Sequence, residues 1–279
     1  MAHATETPVI ALHDGVEIPQ LGFGTWQITG SETQPRVEEA LAVGYRHLDT
    51  AAAYGNEAGV GAAIAASGVA REDLFVTTKL WNSEQGYDST LRAFEQSIER
   101  LGTGHVDLYL IHWPLPSRDL FLDTWRAFER IKADGGASSI GVSNFRTEDL
   151  ERIEREAEQR PTVNQVELHP RLQQAELRAW HADHDVATEA WSPLAQGELL
   201  EDGTIATIAA HYDRTPAQVI LRWHLQLGNV VIPKSATPER IRQNFELFDF
   251  ALSEDDMAAI ERLDGGERTG PDPATFSVA

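Results

Sequence analysis

Eight short runs rich in β-branched and aromatic residues recur along the chain, each followed by an amphipathic stretch with helical spacing, one such pair filling about thirty residues. The runs fall at residues 19–23, 45–49, 74–79, 105–112, 138–142, 162–166, 186–191 and 229–233. Strict alternation of this kind requires a parallel sheet with helical crossovers. Eight units within 279 residues favour closure into an α/β fold of the (β/α)8 TIM-barrel type, with an open doubly wound sheet as the runner-up. Asp14-Gly15 between two β-prone runs predicts an N-terminal β-hairpin. The Gly- and Pro-rich segment 265–276 predicts a C-terminal tail lying over the barrel mouth. No linker or repeat divides the chain, so residues 1–279 are expected to form a single domain.

Composition narrows the function classes. The net charge of −21 disfavours nucleic acid and acidic membrane surfaces as partners. No run approaches the length of a membrane span, and the first eight residues lack the basic and apolar regions of a signal peptide, so a cytoplasmic protein is expected. Zero cysteines exclude disulfides, thiolate nucleophiles and Cys-based metal sites. Only three of the 23 basic residues are lysines, namely Lys79, Lys132 and Lys234, each kept either by chance or where a compact ammonium serves better than a planar guanidinium.

In a parallel barrel the chemistry collects at the C-terminal ends of the strands. The runs end, in order, in Asp49, Lys79, His112, Ser143-Asn144, Gln165, Trp191-Ser192 and Lys234-Ser235, and Tyr54 follows Asp49 closely enough to reach the same mouth. An acid, a cation, an imidazole and a phenol thus converge. A neighbouring ammonium favours the phenolate, so Lys79 is expected to lower the Tyr54 pKa, with Asp49 orienting the lysine and His112 polarising a carbonyl oxygen.

Five motifs in order, Leu48-Asp-Thr-Ala-Ala-Ala-Tyr54, Thr77-Thr-Lys79-Leu-Trp-Asn, Leu108-Tyr-Leu-Ile-His112-Trp-Pro, Gly141-Val-Ser-Asn-Phe and Ile232-Pro-Lys-Ser-Ala-Thr-Pro-Glu-Arg-Ile, resemble the aldo-keto reductase superfamily over essentially the whole chain. Trp191 and the tail Arg268-Thr-Gly-Pro-Asp-Pro are most similar to its bacterial 2,5-diketo-D-gluconate reductase branch. The resemblance implies NADPH-dependent, reversible reduction of aldehydes and ketones, with Tyr54 as general acid, Lys79 and Asp49 tuning it, and His112 placing the substrate carbonyl.

No dinucleotide fingerprint is present, because Gly22-Phe-Gly24-Thr-Trp-Gln27 lacks the last glycine and the βαβ context. Instead Lys234, Ser235, Thr237 and Arg240 follow a strand and open a helix, with Thr237 as the expected N-cap and Pro238 at the first helical position, an arrangement suited to an anion. The resemblance makes this the site of the adenosine 2′-phosphate. It likewise implies that Ser143, Asn144 and Gln165 hold the nicotinamide carboxamide, that Trp191 stacks on the ring, and that Gly24, Thr25, Trp26, Asp49, Ser192, Leu194, Gln243 and Asn244 complete the cofactor contacts. Two positions depart from the family pattern: Gln243 stands where Glu is frequent near the adenine, and Ser138-Ser139 replace a basic residue.

Trp26, Trp81 and Trp113 follow strands on the catalytic side, so with Tyr54 and His112 they are the expected substrate wall, one that suits a small-molecule carbonyl compound. A monomer with no bound metal is expected. Three other readings compete: a metal-dependent hydrolase using Asp49, His112 and His169, whose spacing fits no ligand pattern; a Schiff-base aldolase using Lys79, which leaves Tyr54 and the Lys234 site unexplained; and a catalytically weak NADPH-binding regulatory protein, against which the intact tetrad counts.

Overall fold

A computed structural model of the protein describes residues 7–278. Residues 1–6, on which part of the expectation about a signal peptide rests, lie outside them. Strands β1 (Val9–Ala11) and β2 (Glu17–Pro19) form the expected antiparallel hairpin, with Gly15 at φ +88° in its turn. The barrel strands are β3 (Gly22–Gly24), β4 (His47–Asp49), β5 (Phe75–Leu80), β6 (Val106–Ile111), β7 (Ala137–Ser143), β8 (Val163–Glu167), β9 (Ala187–Trp191) and β10 (Val230–Val231). All pair in parallel in chain order. A bridge between Leu21 and Val231, with Gly24 N donating to Pro233 O at 3.1 Å, closes the ring. The barrel expected from the alternation is therefore present, and the open sheet is not.

Helices α1 (Thr33–Val43), α2 (Glu57–Ser67), α3 (Tyr87–Leu101), α4 (Phe121–Ala133), α5 (Thr147–Glu156), α6 (Ala175–Asp183), α7 (Gly203–Tyr212), α8 (Pro216–Gln226) and α9 (Pro238–Gln243) follow the strands, and α10 (Glu254–Glu261) leads into the tail. Local chemistry sets their ends. Thr215 and Gln218 form a reciprocal capping box ahead of Pro216 at the start of α8. The expected strand over 19–23 is divided instead: Pro19 ends β2, and barrel pairing resumes at Leu21 and Gly22. Helix α10 was not expected from periodicity, although its capping box, Ser253 with Asp256, is legible in the sequence. Among the described residues no helix is long and apolar enough to cross a membrane.

Alternate residues of each strand face the barrel interior, which is filled in layers. A buried apolar cluster joins Phe75, Leu108, Leu110, Val163 and Val230 to Leu12 and Ile18 of the hairpin, so the hairpin plugs the floor. The next layer holds His47, Thr77 and Glu189, and it fits because Gly22 carries no side chain: a Cβ there would lie 2.6 Å from His47 Nδ1.

The plug is fastened by charge. Lys132 Nζ donates to Asp14 Oδ2 at 2.6 Å, and Ser139 Oγ donates to the same oxygen at 2.9 Å while contacting Thr162 Oγ1. Ser139, one of the Ser138-Ser139 pair that departs from the resembled pattern, thus belongs to the anchorage of the hairpin. Burial alone would raise the Asp14 carboxyl, but its bonds from Lys132, Ser139 and Val16 outweigh that and hold it below the ordinary carboxylate value. Asp14→Asn is expected to lower stability by about 1–3 kcal/mol at pH 7, the scale of a lost hydrogen bond to a charged group. Because the folded carboxyl titrates below the unfolded one, the stabilisation is present above the ordinary value and is lost as pH falls. Urea midpoints of wild type and variant should therefore converge below about pH 4.

Candidate active site

The upper layer of the barrel carries the four residues expected to react. Asp49 closes β4, Lys79 lies one residue before the end of β5, His112 directly follows β6, and Tyr54 stands on a short 3-10 turn after β4. Lys79 is fully buried, with Nζ donating to Asp49 Oδ1 at 2.6 Å and to Thr50 O at 2.9 Å, and lying 5.3 Å from the centre of the Tyr54 ring. Burial alone would lower the Lys79 ammonium, but the Asp49 carboxylate reverses that and leaves it above its ordinary value. The cation is permanent at neutral pH.

The effect on Tyr54 differs from the sequence expectation. Burial raises its phenol, and although Lys79 pulls the other way, the net displacement is upward, helped by the charge of Asp49. The phenol keeps its proton well above neutrality. His112 packs edge-on against Tyr54, ring centres 5.8 Å apart, and against Trp81 at 5.3 Å. Burial and the nearby Lys79 hold its imidazole well below the ordinary value, so it is neutral, and its Nδ1 is buried with no hydrogen-bond partner.

Strands β7, β8 and β9 bring the next group to the same rim. Ser143 Oγ donates to Gln165 O at 2.8 Å, Asn144 Nδ2 donates to His112 O at 3.0 Å, and Trp191 Nε1 donates to Asn144 Oδ1 at 2.8 Å. Gln165 Nε2 donates to Asp49 Oδ2 at 2.8 Å, and Thr25 Oγ1 donates to Asp49 O at 3.0 Å. Asn144 and Ser192 take left-handed φ values of +64° and +48°, uncommon for non-glycine residues, which turn the chain sharply off β7 and β9. Gly24 abuts β10, where a Cβ would lie 2.8 Å from Ile232 O.

Around the corner, Lys234 is half-buried and Ser235 buried, while Arg240 is exposed. Neither Lys234 nor Arg240 has a carboxylate partner among the described residues, whereas most arginines of this acidic chain do. Thr237 does precede α9, but its side chain makes no capping bond, and α9 has only six residues. What the corner offers an anion is therefore its two unpaired cations and hydroxyl groups, with the helix end contributing little. Gln243 and the buried Asn244 lie at the C-terminal end of the same helix, Gln243 Nε2 donating to Glu239 at 3.4 Å. Leu194 is half-buried and packs against the core beyond Ser192.

The tail closes the mouth from above, as expected, and its main anchor is Glu167, a residue that the sequence analysis did not name. Glu167, buried at the end of β8, accepts from Thr269 N and Thr269 Oγ1, both at 2.6 Å, and from Gly270 N at 3.0 Å. Gly270 then runs over the Trp191 indole so closely that a Cβ would lie 2.4 Å from Cη2. Phe276 packs on Trp113 with ring centres 4.2 Å apart, and Asn82 Nδ2 donates to Val278 O. Trp113 is buried, Trp81 half-buried and Trp26 42% exposed, so the tryptophans form an inner and an outer wall. Arg118 donates to Asn82 O at 2.6 Å, and Arg268 lies 3.7 Å from Glu167. The useful sequence signal was the glycine in Arg268-Thr-Gly-Pro.

This constellation at the top of a (β/α)8 barrel is that of a cofactor-dependent carbonyl oxidoreductase. The Aldo/keto reductase family model matches residues 20–265, and the chain belongs to that family. It is 52% identical to a methylglyoxal reductase of Yersinia pestis, the match covering 98% of each chain. Among solved structures, an aldo/keto reductase from Brucella melitensis is 59% identical with a TM-score of 0.89, covering 92% of this chain and 100% of that one. A variant of Gox0644 in complex with NADPH is 48% identical with a TM-score of 0.93, covering 97% and 98%.

Removing one partner of the buried pair isolates the other charge. Lys79→Met is expected to cost about 3–5 kcal/mol of stability, and adding Asp49→Asn should recover much of it. Denaturant unfolding of the three variants measures both.

Proposed function

We propose that the protein is an NADPH-dependent oxidoreductase that reduces small neutral aldehydes, ketones and α-dicarbonyls to alcohols, reversibly, with residues 1–279 acting as one domain and as a monomer. The observation that carries this reading is Tyr54, a protonated phenol beside the permanently charged Lys79 and the neutral imidazole of His112. The donor set fits the cofactor. Two unpaired cations, Lys234 and Arg240, with Ser235 and Thr237 suit a phosphate, and the Trp191 indole, held by Asn144 and covered by Gly270, suits a flat ring. Gln165, Ser143 and Asn144 would hold the carboxamide, Gly24, Thr25, Trp26, Ser192 and Leu194 would add further cofactor contacts, and Gln243 and Asn244 would serve the adenine.

When bound, NADPH supplies a hydride for the carbonyl carbon. The chain supplies the rest. His112, neutral, orients the carbonyl oxygen, and Tyr54 holds at its hydroxyl the proton that this oxygen takes as it becomes an alkoxide. A high phenol pKa is no obstacle, since an alkoxide is a far stronger base. The tyrosinate that remains is then stabilised by Lys79, which Asp49 keeps charged and fixed. Trp81, Trp113 and Phe276 exclude water from the site, and Trp26 stands at its outer edge.

Substrate class follows from charge. Of the two guanidinium groups near the mouth, Arg268 lies 3.7 Å from Glu167, and Arg118 donates to Asn82 O without a carboxylate partner among the described residues, so a carboxylate substrate would have to draw Arg118 away from Asn82. The Yersinia pestis relative is a methylglyoxal reductase, which agrees with a neutral dicarbonyl. The acidic surface equally repels nucleic acid and anionic membranes.

The test is NADPH consumption over a panel of aldehydes, ketones, α-diketones and keto-sugar acids with wild type and Tyr54→Phe. Turnover of neutral carbonyls that disappears in the variant, with NADPH affinity within a few fold of wild type, is expected; unchanged turnover would remove Tyr54 from the chemistry. Arg240→Ala should weaken NADPH by about 1.5–3 kcal/mol and NADH much less, as fluorescence titration would read. Equal losses would move Arg240 away from the 2′-phosphate.

A further inference from the structure

Below Asp49 the barrel interior holds a second carboxyl group that takes no part in the chemistry above. Glu189 lies two residues before Trp191 on β9 and is fully buried. Gln165 Nε2 carries two hydrogens, one directed to Asp49 Oδ2 at 2.8 Å and the other to Glu189 Oε2 at 2.9 Å. That pair of acceptors fixes the orientation of the amide, since exchanging its oxygen and nitrogen would set an acceptor against two acceptors. Gln165 Oε1 is then left without a protein donor among the described residues.

The other oxygen of Glu189 faces His47. Glu189 Oε1 has no hydrogen-bond partner and lies 3.6 Å from His47 Nε2. His47 Nδ1 sits 3.4 Å from Pro19 O, a contact that only a ring N–H satisfies, so Nε2 is a bare acceptor that also meets Thr77 Oγ1 at 3.2 Å. A proton on Glu189 Oε1 places a positive end toward the Nε2 lone pair across the 3.6 Å gap, whereas a carboxylate would present lone pairs to a lone pair. The charged and titratable groups facing Glu189 are Asp49 and His47 on β4, Lys79 on β5 and, more distantly, Tyr54; β8 adds the neutral Gln165 amide and β5 the Thr77 hydroxyl. Lys79 is the one cation among them, and Asp49 and Thr50 already occupy it.

We propose that Glu189, as a neutral carboxylic acid that accepts from Gln165 and faces His47, is a positioning residue that sets the Gln165 amide for the nicotinamide carboxamide and steadies Asp49 beneath Lys79. The inference rests on the reading of Gln165 as a cofactor contact. Two further observations accord with it. Burial and the charge of Asp49 push the Glu189 carboxyl up to about 8, and burial brings the His47 imidazole down to about 4, so both groups are neutral at pH 7. Ionising Glu189 would set a second carboxylate against Asp49 with one ammonium to share.

The test compares wild type, Glu189→Gln and Glu189→Leu. Glutamine reproduces the neutral acid, its oxygen accepting from Gln165 and its NH2 group facing His47; leucine removes the bond to Gln165 and the polar group that faces His47. Dissociation constants for NADPH, read by fluorescence between pH 6 and pH 9.5, should be constant for wild type to near neutrality and weaken several-fold above about pH 8. Glu189→Gln should match wild type at pH 7 and lose the alkaline weakening. Glu189→Leu should bind about tenfold more weakly at every pH, the scale of one buried hydrogen bond. Independently of the cofactor, infrared difference spectra of wild type against Glu189→Gln should show a protonated-carboxyl C=O band at pH 7, a readout that stands even if the leucine variant does not fold. A carboxylate band instead, or Glu189→Gln binding as weakly as Glu189→Leu, overturns the proposal alone. Failure of wild type to bind NADPH overturns the cofactor reading and this proposal with it.

Discussion

The contact between Lys79 and Asp49 is the point from which the interior of this barrel is organised. An ammonium removed from water is tolerable only with a carboxylate and further acceptors around it, which Asp49 and Thr50 provide. Once that pair is placed, the remaining titratable groups inside have no counter-ion available and settle in their neutral forms. His47 and His112 lose their protons, while Tyr54 keeps its own, as does Glu189 in the arrangement proposed above. The chemistry at the rim then draws on a single fixed positive charge, held in a medium of low polarity where its field reaches farther than it would in water.

Much of this was legible in the chain. The alternation of β-prone and amphipathic runs located all the barrel strands to within a few residues, because a two-residue period against a helical one is a strong signal. The reactive residues were legible because strand ends in a parallel barrel share one rim: Asp49, Lys79 and His112 could be grouped before any coordinates were known. The rest depends on contacts between distant segments. Glu189 reads in sequence as one charged residue among uncharged neighbours in Ala-Thr-Glu-Ala-Trp, and only the register against β8 sets it beside Gln165. Glu167 likewise gains its meaning from a tail a hundred residues away. The direction of the Tyr54 shift was misjudged for a related reason, since charge proximity is visible in a motif and the depth of burial is not.

The rim shows how irregular chain is made precise without regular structure. The tail after α10 forms no strand with the barrel, yet one buried carboxylate collects three donors from Thr269 and Gly270 and locks it down. The absent side chain at Gly270 then lets the backbone lie against the indole of Trp191, which Asn144 holds from the other side. A flat aromatic surface is thereby fixed by two loops and a strand end, and its angle belongs to all three.

The hairpin plug has a consequence for proton traffic. With Leu12 and Ile18 seated among the lowest interior side chains, and Asp14 clamped to Lys132, the barrel is a vessel with one opening. Any water or hydronium that reaches the inner layer must come through the rim, past Tyr54 and His112.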